Sequence, residues 1–585
     1  MPSTAADFRA LLADRWVPLA VIATAFGALI LRLYALGHRV FYYDEAWVGY
    51  WVLKFLEHGS WQYRPILHGP FFMRVNSVVF SVFGATEFTA RLVVAVIGGL
   101  LPLSAWLFRD RLRNEEIVAL AFILAINPLL LYYSRFMRND LPLAAFMLVA
   151  LGLLVRAYDT RAPRYLYGMT IALGIAFTTK ESVLLWLLTW GGAALLVFDR
   201  RLLRVREEGS GPVSFVRSLT VHAVAGFRTW ATHLVGAILL FFLIVIFFYA
   251  PRSPEARAPG LWKAVGGKFE MLPAVIERAT LGSYQKAIEH WAGGSIQSHP
   301  YLPYLLDTLW TLAMGAMGVC LLAIVGFLYD RYAGSTRDLV EFSFYCGVAA
   351  TVGYPLANSV PVPWSTVHAV VALSIPAAVG VGVVYRWGQS QLSSQETARS
   401  DGSTIASERT RAMVKAGGAT VLLGTLVVSS GLTAIETSYL NPYDSPRNGG
   451  DGNEIVYYAQ APEELQTVIT AIDHAAATGG NDTDVLYVGR SLVSNESSRT
   501  APPATAAWFR RIPVPWYTET IGADVTSVAV ADDIGSEPPP VVITTAANRS
   551  AVAQKLGQSY TAKRYRLDEI GDRTLVVFFR NTNDS

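Results

Sequence analysis

The sequence predicts a polytopic α-helical membrane protein of about eleven transmembrane helices, followed by a soluble C-terminal α/β domain. Three observations lead to this fold class. First, 52% of the 585 residues are hydrophobic and only 16% are charged, which is too apolar for an ordinary soluble protein of this length. Second, apolar stretches long enough to cross about 30 Å of hydrocarbon recur along the chain. Third, the pattern changes after residue 434 to strands alternating with helices.

The predicted transmembrane domain, residues 16–434, follows a short cytoplasmic N-terminus, residues 1–15. The first apolar stretch is too long for a signal peptide and lacks a small-residue cleavage site, so we expect it to remain as an anchored span. The predicted spans are 16–36, 88–108, 115–133, 141–157, 165–179, 183–199, 231–250, 304–329, 338–356, 365–386 and 412–434.

The short basic connections predict the orientation of these spans. With a cytosolic N-terminus, five connections rich in arginine and lysine fall on the cytosolic side, as the positive-inside rule requires. These connections cover residues 109–113, 156–164, 199–206, 330–338 and 385–415, the last with a Ser/Thr-rich linker at 387–411. The opposite, extracytoplasmic side then receives the first loop (37–87), a long loop (251–303) and the C-terminal domain (435–585). The protein is therefore predicted to be a multi-pass protein of the cell membrane.

The C-terminal domain has the pattern of a small α/β fold. The predicted strands are EIVYYAQ, DVLYVG, PPVVITT and RTLVVFF. A helix is predicted from Pro462, with an apolar face of Leu465, Val468, Ile469 and Ile472. No glycine-rich phosphate loop occurs in this domain, so nucleotide binding is not implied. N-x-S/T acceptor patterns at Asn481, Asn495 and Asn548 agree with an extracytoplasmic position.

Asp44 and Glu45, in the segment FYYDEAW of the first loop, are the predicted catalytic pair. Ionisable residues beside a membrane span are costly, so they suggest a functional site. Adjacent helical residues face different ways, which excludes the opposed carboxylates of a glycosidase. One carboxylate can still act as a base if the leaving group is a phosphate, because that anion needs no protonation. Alternatively, both simply begin an interfacial helix, whose N-terminus favours negative charge.

The aromatic residues that follow predict what this helix contacts. Trp47, Trp51 and Phe55 recur with the spacing of one helix face, which favours a helix in the bilayer interface. Tyr42 and Tyr43 are suited to stacking on a sugar ring, although tyrosine is also common at membrane interfaces.

Cations on the same side are candidates for binding a lipid phosphate. Arg135 and Arg138 in SRFMRNDLP, and Lys180 in TTKES, lie at the extracytoplasmic ends of predicted spans. A lipid-linked phosphate requires charge-assisted donors at that depth. Asp140 either pairs with Arg138 or serves as a second acidic group. The alternative for this set is structural ion pairs and snorkelling side chains.

Other candidate residues are less specific. His68 in RPILHGPF suits either the donor site or a capping role. The histidines show no metal-ligand spacing, and Cys320 and Cys346 lie in apolar runs, so a protein-held metal is disfavoured. We expect no cofactor to be required, and the sequence leaves a divalent cation open.

Several of these segments, taken in order, resemble one known family. FYYDEAW, RPILHGPFFMRVNSVVFSVFGATEFTARLVVAVIGG, SRFMRNDLPLAAFMLV and GIAFTTKES are similar to GT-C glycosyltransferases of the protein O-mannosyltransferase and aminoarabinose-transferase type. PVPWSTVHAVVALSIPAAVG and ATAAWFRRIPVPWY resemble, more narrowly, the archaeal flippase-activity-associated branch. The pattern of that branch has a Glu-Lys pair before Pro363-Trp364, where this chain has Asn358-Ser359.

The resemblance implies an enzyme that takes a hexose such as mannose from a polyprenyl or dolichyl phosphate, with inversion, on the extracytoplasmic side. Asp44 matches the base, Glu45 its neighbour, and Arg138 and Lys180 the cations that approach the lipid phosphate. The implied partners are the lipid-linked sugar, a glycan, lipid or protein acceptor and the bilayer, without nucleic acid.

Three other functions compete with this prediction. A flippase, or a flippase-associated protein for dolichyl-phosphate-linked sugar in protein N-glycosylation, would use the cations without a base. An oligosaccharyltransferase is disfavoured because the sequence has no WWDxG-like motif. A non-catalytic scaffold with the same fold is the third alternative.

Overall fold

The computed structural model describes residues 5–207, 211–292, 300–334, 336–357, 362–400, 406–443, 452–453, 455–456, 460–478, 483–494, 506–567 and 573–581. The membrane part of the chain is helical. Its helices are α1 (Ala5–Leu33), α2 (Tyr43–His58), α3 (Phe71–Phe83), α4 (Glu87–Leu100), α5 (Asn114–Ile126), α6 (Pro128–Tyr133), α7 (Asp140–Thr160), α8 (Pro163–Thr179), α9 (Val183–Glu207), α10 (Pro212–Tyr249), α11 (Leu261–Val265), α12 (Leu272–Ala279), α13 (Leu281–Ala292), α14 (Tyr301–Tyr332), α15 (Asp338–Ala357), α16 (Thr366–Ser400) and α17 (Ala406–Ile435).

Nine helical segments among the described residues are long and apolar enough to cross a membrane. The other two predicted spans, 115–133 and 165–179, are also helical but shorter. Pro128 lacks an amide donor and begins a new helix, so the first of these is divided into α5 and α6. The second corresponds to α8, which has 17 residues. The polytopic helical fold class is confirmed.

The first and the long predicted loops lie on the same face of the helical domain. Trp61 and Arg252 exchange two backbone hydrogen bonds of 2.8 Å. The Lys286 ammonium, on α13, lies 3.4 Å from the carbonyl oxygen of Tyr63. This face also carries Asp44, and we call it the Asp44 face.

The opposite face carries ion pairs that join several helices. The fully buried carboxylate of Glu116 on α5 accepts from Arg337 at 2.6 Å and from Arg386 at 3.2 Å. Arg337 also contacts Asp330 at 2.7 Å. Further pairs join Arg156 to Asp110 and Arg200 to Asp338. The basic connections are therefore matched by carboxylates that anchor them to the helix ends.

One helix is longer than the sequence pattern indicates. The predicted linker begins at residue 387, whereas α16 continues to Ser400. Residues 389–400 contain neither glycine nor proline, so nothing in them ends the helix. Residues 401–405 lie outside the described residues. In its apolar part α16 packs against α5, α14, α15 and α17, which makes it the central helix of the domain.

The C-terminal domain is confirmed as a small α/β fold. Its sheet has the order β2-β1-β3-β5-β4, in which β1 is parallel to β2 and β3, and β5 is antiparallel to β3 and β4. The elements are α18 (Leu465–Thr478), β1 (Val485–Val488), α19 (Ala506–Arg511), α20 (Val514–Ile521), β2 (Val525–Val528), β3 (Val541–Thr545), α21 (Arg549–Leu556), β4 (Tyr560–Arg566) and β5 (Thr574–Arg580).

Three of the four predicted strands correspond to β1, β3 and β5. In the fourth, EIVYYAQ, Ile455 and Val456 lie in a turn, and Glu454 and residues 457–459 lie outside the described residues. The predicted apolar face of α18 is buried. Asn481 and Asn495 also lie outside the described residues, whereas Asn548 precedes α21.

Candidate active site

The first turn of α2 positions both residues of the acidic pair. Tyr42 precedes the helix in an extended conformation, and its backbone amide donates to the Glu45 carboxylate at 3.3 Å. This return contact satisfies one of the amides that a helix N-terminus leaves without a partner. The helix ends at Gly59, whose φ of 64° is a left-handed conformation that glycine adopts without strain.

Glu45 points into the protein and is fully buried. Its two oxygens accept from Arg91 on α4 at 2.8 and 2.9 Å. One of them also accepts from the backbone amide of Met137 at 2.9 Å. These contacts occupy the carboxylate and join α2, α4 and the segment before α7. Glu45 was predicted as catalytic together with Asp44, but its geometry is that of a positioning residue.

Asp44 points the other way, into a cavity of about 60 Å³. Its carboxylate accepts from the Tyr42 hydroxyl at 2.6 Å and forms an ion pair with Arg138. About a third of the side chain, 34%, remains exposed. Burial raises the pKa of Asp44 to about 6, and the charges of His68 and Lys180 oppose that rise. The carboxylate of Asp44 is therefore accessible in a site that holds cations.

Arg138 connects Asp44 to a second, fully buried carboxylate. Its Nε lies 3.4 Å from Asp140 at the start of α7. Asp140 also accepts from Lys180, at the end of α8, at 2.8 Å. Asp44, Arg138, Asp140 and Lys180 therefore form one continuous chain of charges, which we call the charge cluster. The structure brings these four predicted residues together, although they come from three separate parts of the sequence.

Models of two protein families match parts of the chain. The model described as dolichyl-phosphate-mannose-protein mannosyltransferase matches residues 67–208. The model described as the Agl23 flippase-associated protein C-terminal domain matches residues 465–580. A search among curated proteins gave no match.

Solved structures with the same fold come from two organisms. ArnT from Cupriavidus metallidurans in the apo state is 16% identical, with a TM-score of 0.52 over 97% of this chain and 98% of that chain. The undecaprenyl phosphate-bound form of ArnT gives a TM-score of 0.50 at 16% identity, over 98% of this chain and 99% of that chain. The archaeal oligosaccharyltransferase AglB from Archaeoglobus fulgidus, in complex with an inhibitory peptide and a dolichol-phosphate, is 12% identical. Its TM-score is 0.51 over 98% of this chain and 75% of that chain.

The chain has the GT-C fold of these solved structures. The structural likeness establishes the fold, and the two family models show what residues 67–208 and 465–580 are similar to.

Two cation-site candidates of this GT-C protein have other contacts. Arg135 donates to the backbone carbonyls of Tyr34 at 2.6 Å and Ala35 at 3.1 Å, beyond the end of α1. Carbonyls at a helix C-terminus lack partners within the helix, so a cation there stabilises the helix end. The Arg135 guanidinium therefore caps the end of α1, and its lipid-phosphate role stays a prediction. His68 lines the Asp44 cavity, and its Nδ1 lies 3.2 Å from Glu181.

Two aromatic side chains contact the charge cluster, Trp364 from the segment before α16 and His368 from the first turn of α16. The Arg138 guanidinium lies 3.5 Å from the centroid of the Trp364 ring. His368 is fully buried, and its Nε2 lies 3.4 Å from Asp140. Because its Nδ1 accepts from Trp186 Nε1 at 3.0 Å, a neutral His368 carries its proton on Nε2 and donates it to Asp140.

Sequence reasoning did not single out His368 or Trp364 as site residues. A lone histidine in an apolar span was the available signal for the first, and the Pro-Trp pair for the second. Asn358 and Ser359, at which the chain departs from the pattern of the branch that it resembles, lie outside the described residues.

The C-terminal domain of this GT-C protein packs directly on α2. The Tyr517 hydroxyl accepts from the backbone amide of Phe41 at 2.9 Å, and the Trp516 ring centroid lies 4.8 Å from that of Phe41. Trp47, expected at the bilayer interface, instead contacts Phe509 of α19 at 4.8 Å. The domain therefore lies on the Asp44 face, beside the site.

Proposed function

We propose that this protein transfers a sugar, a hexose such as mannose, from a polyprenyl or dolichyl phosphate to a glycan, lipid or protein acceptor. The observation that carries the proposal is the ion pair between the accessible carboxylate of Asp44 and Arg138, both of which line one cavity. Asp140 connects Lys180 to this pair. A base and cations for a phosphate leaving group are the two components that this reaction needs. The proposed location is the extracytoplasmic face of the cell membrane, with the C-terminal domain on the same side.

In the proposed reaction, Asp44 accepts the proton of an acceptor hydroxyl while that oxygen attacks the anomeric carbon. The bond between this carbon and the phosphate oxygen breaks, and its electron pair leaves with the prenyl phosphate. Attack opposite the leaving group inverts the anomeric configuration. The leaving phosphate needs no protonation, so the reaction does not require a general acid.

The cations stabilise the phosphate as its charge develops. Lys180 has three N–H donors, of which one is used on Asp140 among the described residues. Asp140 and Trp364 hold Arg138 in place, so its orientation does not have to be established during the reaction. The solved relatives bound to dolichol-phosphate and undecaprenyl phosphate support a lipid-phosphate donor.

The test is transfer from a dolichyl-phosphate hexose by the purified full chain in nanodiscs. We expect Asp44→Asn to reduce transfer at least a hundredfold, in line with the loss of a general base. Glu57→Gln, on the same helix and 48% exposed, is the matched control and should retain activity. Undiminished transfer by Asp44→Asn would exclude the proposed mechanism.

The flippase-associated role is the alternative, favoured by the family model that matches the C-terminal domain. Movement of lipid-linked sugar across a bilayer requires no base. Asp44→Asn should then retain transport of a fluorescent dolichyl-phosphate sugar in proteoliposomes, and no transfer should be detected for the wild type. Comparing the wild type with Asp44→Asn in the transfer and transport assays therefore distinguishes the two functions.

A further inference from the structure

A second, larger cavity lies beside the Asp44 cavity. Its volume is about 270 Å³, and Leu67 forms part of the wall of both cavities. One wall comes from α2 and the segment that follows it, and the other from the segment between α10 and α11. A molecule in this cavity would lie within a few side-chain lengths of Asp44.

The walls of this second cavity combine indole rings with cations. Trp51 and Trp61 present half-buried rings, and the Arg64 guanidinium lies 5.4 Å from the Trp51 ring centroid. Flat aromatic faces stack on apolar ring surfaces such as the C–H faces of a pyranose, whereas guanidinium groups bind carboxylates, sulfates and phosphates in a bidentate way. The two features together fit an anionic carbohydrate.

The positive charge that lines this cavity is not balanced by carboxylates of the described residues. Four cations line it, together with one carboxylate, Glu255, and His58. The ammonium of one cation, Lys54, is paired with Glu57 and Glu519. The other three, Arg64, Arg252 and Arg278, have no carboxylate oxygen within 4 Å among the described residues. Positive charge therefore remains in the cavity.

The three arginines of this cavity differ in whether they stabilise the fold. Arg252 donates to the carbonyls of Phe247 and Ala250 at the end of α10. By contrast, the side chains of Arg64 and Arg278 donate no hydrogen bond to any described residue. Lys286, beside them, has its pKa lowered by burial and by the charges of these two arginines. An anion bound in the cavity would accept from these donors and would offset the repulsion between the cations.

We propose that this second cavity binds an anionic saccharide, carrying carboxylate, sulfate or phosphate groups, as the acceptor of the transferred sugar. The acceptor role rests on the proposed glycosyltransferase function. Arg64 and Arg278 bind the anionic groups, Trp51 and Trp61 stack on the sugar rings, and the chain passes Leu67 so that one hydroxyl reaches Asp44.

The test measures binding of tetragalacturonate and of neutral maltotetraose to the full chain in phosphatidylcholine nanodiscs. We expect tetragalacturonate to bind at least tenfold more tightly, with an affinity that falls as salt rises. Arg64→Gln/Arg278→Gln should remove this preference. Its matched control is Arg257→Gln/Lys268→Gln, in which two exposed cations of the same face lie outside the cavity. Equal binding of the two saccharides, or equal loss in both double variants, would overturn the proposal.

An anionic lipid headgroup shares this chemistry and is tested separately. If short-chain phosphatidylglycerol binds with the same dependence on Arg64 and Arg278 while tetragalacturonate does not, the cavity is a lipid site and the proposal is wrong. Asp44→Asn should keep the preference for tetragalacturonate while losing transfer. Binding without any transfer by the wild type would contradict the proposed function and the acceptor role, whereas transfer to neutral acceptors without anion preference would contradict only the inference.

Discussion

At the scale of single residues, the two adjacent carboxylates of α2 differ because their surroundings differ. Glu45 meets a guanidinium that is itself fully buried, Arg91, so removing the carboxylate leaves that positive charge in an apolar interior. Asp44 meets Arg138 at the wall of a cavity and keeps an exposed part. The sequence could place both in one helical turn. It could not show which one faces the cavity, because that depends on Arg91, which lies 46 positions further along the chain.

The raised pKa of Asp44 leads us to expect that sugar transfer depends on pH. A base must be unprotonated, and burial raises the pKa of Asp44 to about 6. We therefore expect kcat/KM to fall tenfold per pH unit below about pH 6 and to level off above it. Arg138→Gln removes a neighbouring positive charge, so it should move this acidic limb to higher pH as well as slow the reaction. A profile that is flat from pH 5 to pH 8 would contradict the role of Asp44 as the base.

Replacement of Glu45 is expected to lower the stability of the fold. Glu45→Gln leaves the Arg91 charge buried without its partner, and breaking a buried pair in this way costs about 3–5 kcal/mol. Thermal unfolding in detergent should show a lower Tm than for Glu57→Gln, which removes a carboxylate from the exposed side of the same helix. Equal Tm values for the two variants would show that Glu45 does not hold α2 in place.

At the scale of elements, the positions of the helices along the sequence follow from the lengths of the apolar runs. The elements that each helix packs against do not. The spans were predictable because α4, α7, α14 and α16 each contain a long run of apolar residues. The aromatic face of α2 was equally visible, but the same face suits a bilayer or a protein partner. In the structure Trp47 packs on Phe509 of α19, more than 450 positions away in the chain, whereas Trp51 and Phe55 line the second cavity.

The contact of α2 with α20 predicts the effect of a side chain at Gly49. A Cβ atom there would lie 2.8 Å from the buried ring of Trp516, so Gly49→Val forces the two helices apart. Overpacking of this kind costs about 1–3 kcal/mol. Gly27→Val in α1 is the matched control, because a Cβ atom there meets nothing within 4 Å.

Unfolding monitored by circular dichroism should show Gly49→Val less stable than Gly27→Val. In the sugar-transfer assay, Gly49→Val should be less active than Gly27→Val, because α2 carries Asp44. If both variants unfold together and both remain active, the C-terminal domain does not support the site.

At the scale of the whole molecule, the distribution of charge predicts the orientation in the membrane. The basic connections and the C-terminal domain lie on opposite faces, so the positive-inside rule places the first in the cytosol. After replacement of Cys320 and Cys346 by alanine, Ser536→Cys should react with a membrane-impermeant maleimide on intact cells. Asp199→Cys, exposed on α9, should react only after permeabilisation. The reverse pattern would place the site on the cytosolic side.

The ion pairs of the opposite face limit how a substrate can reach the site. Any route through the middle of the protein would have to separate Arg337 and Arg386 from Glu116, and a fully buried carboxylate without partners costs several kcal/mol. These ion pairs therefore hold the helix ends together on the face opposite Asp44. A prenyl-linked donor is expected to slide in sideways from the leaflet that borders Asp44, with its tail still in the lipid.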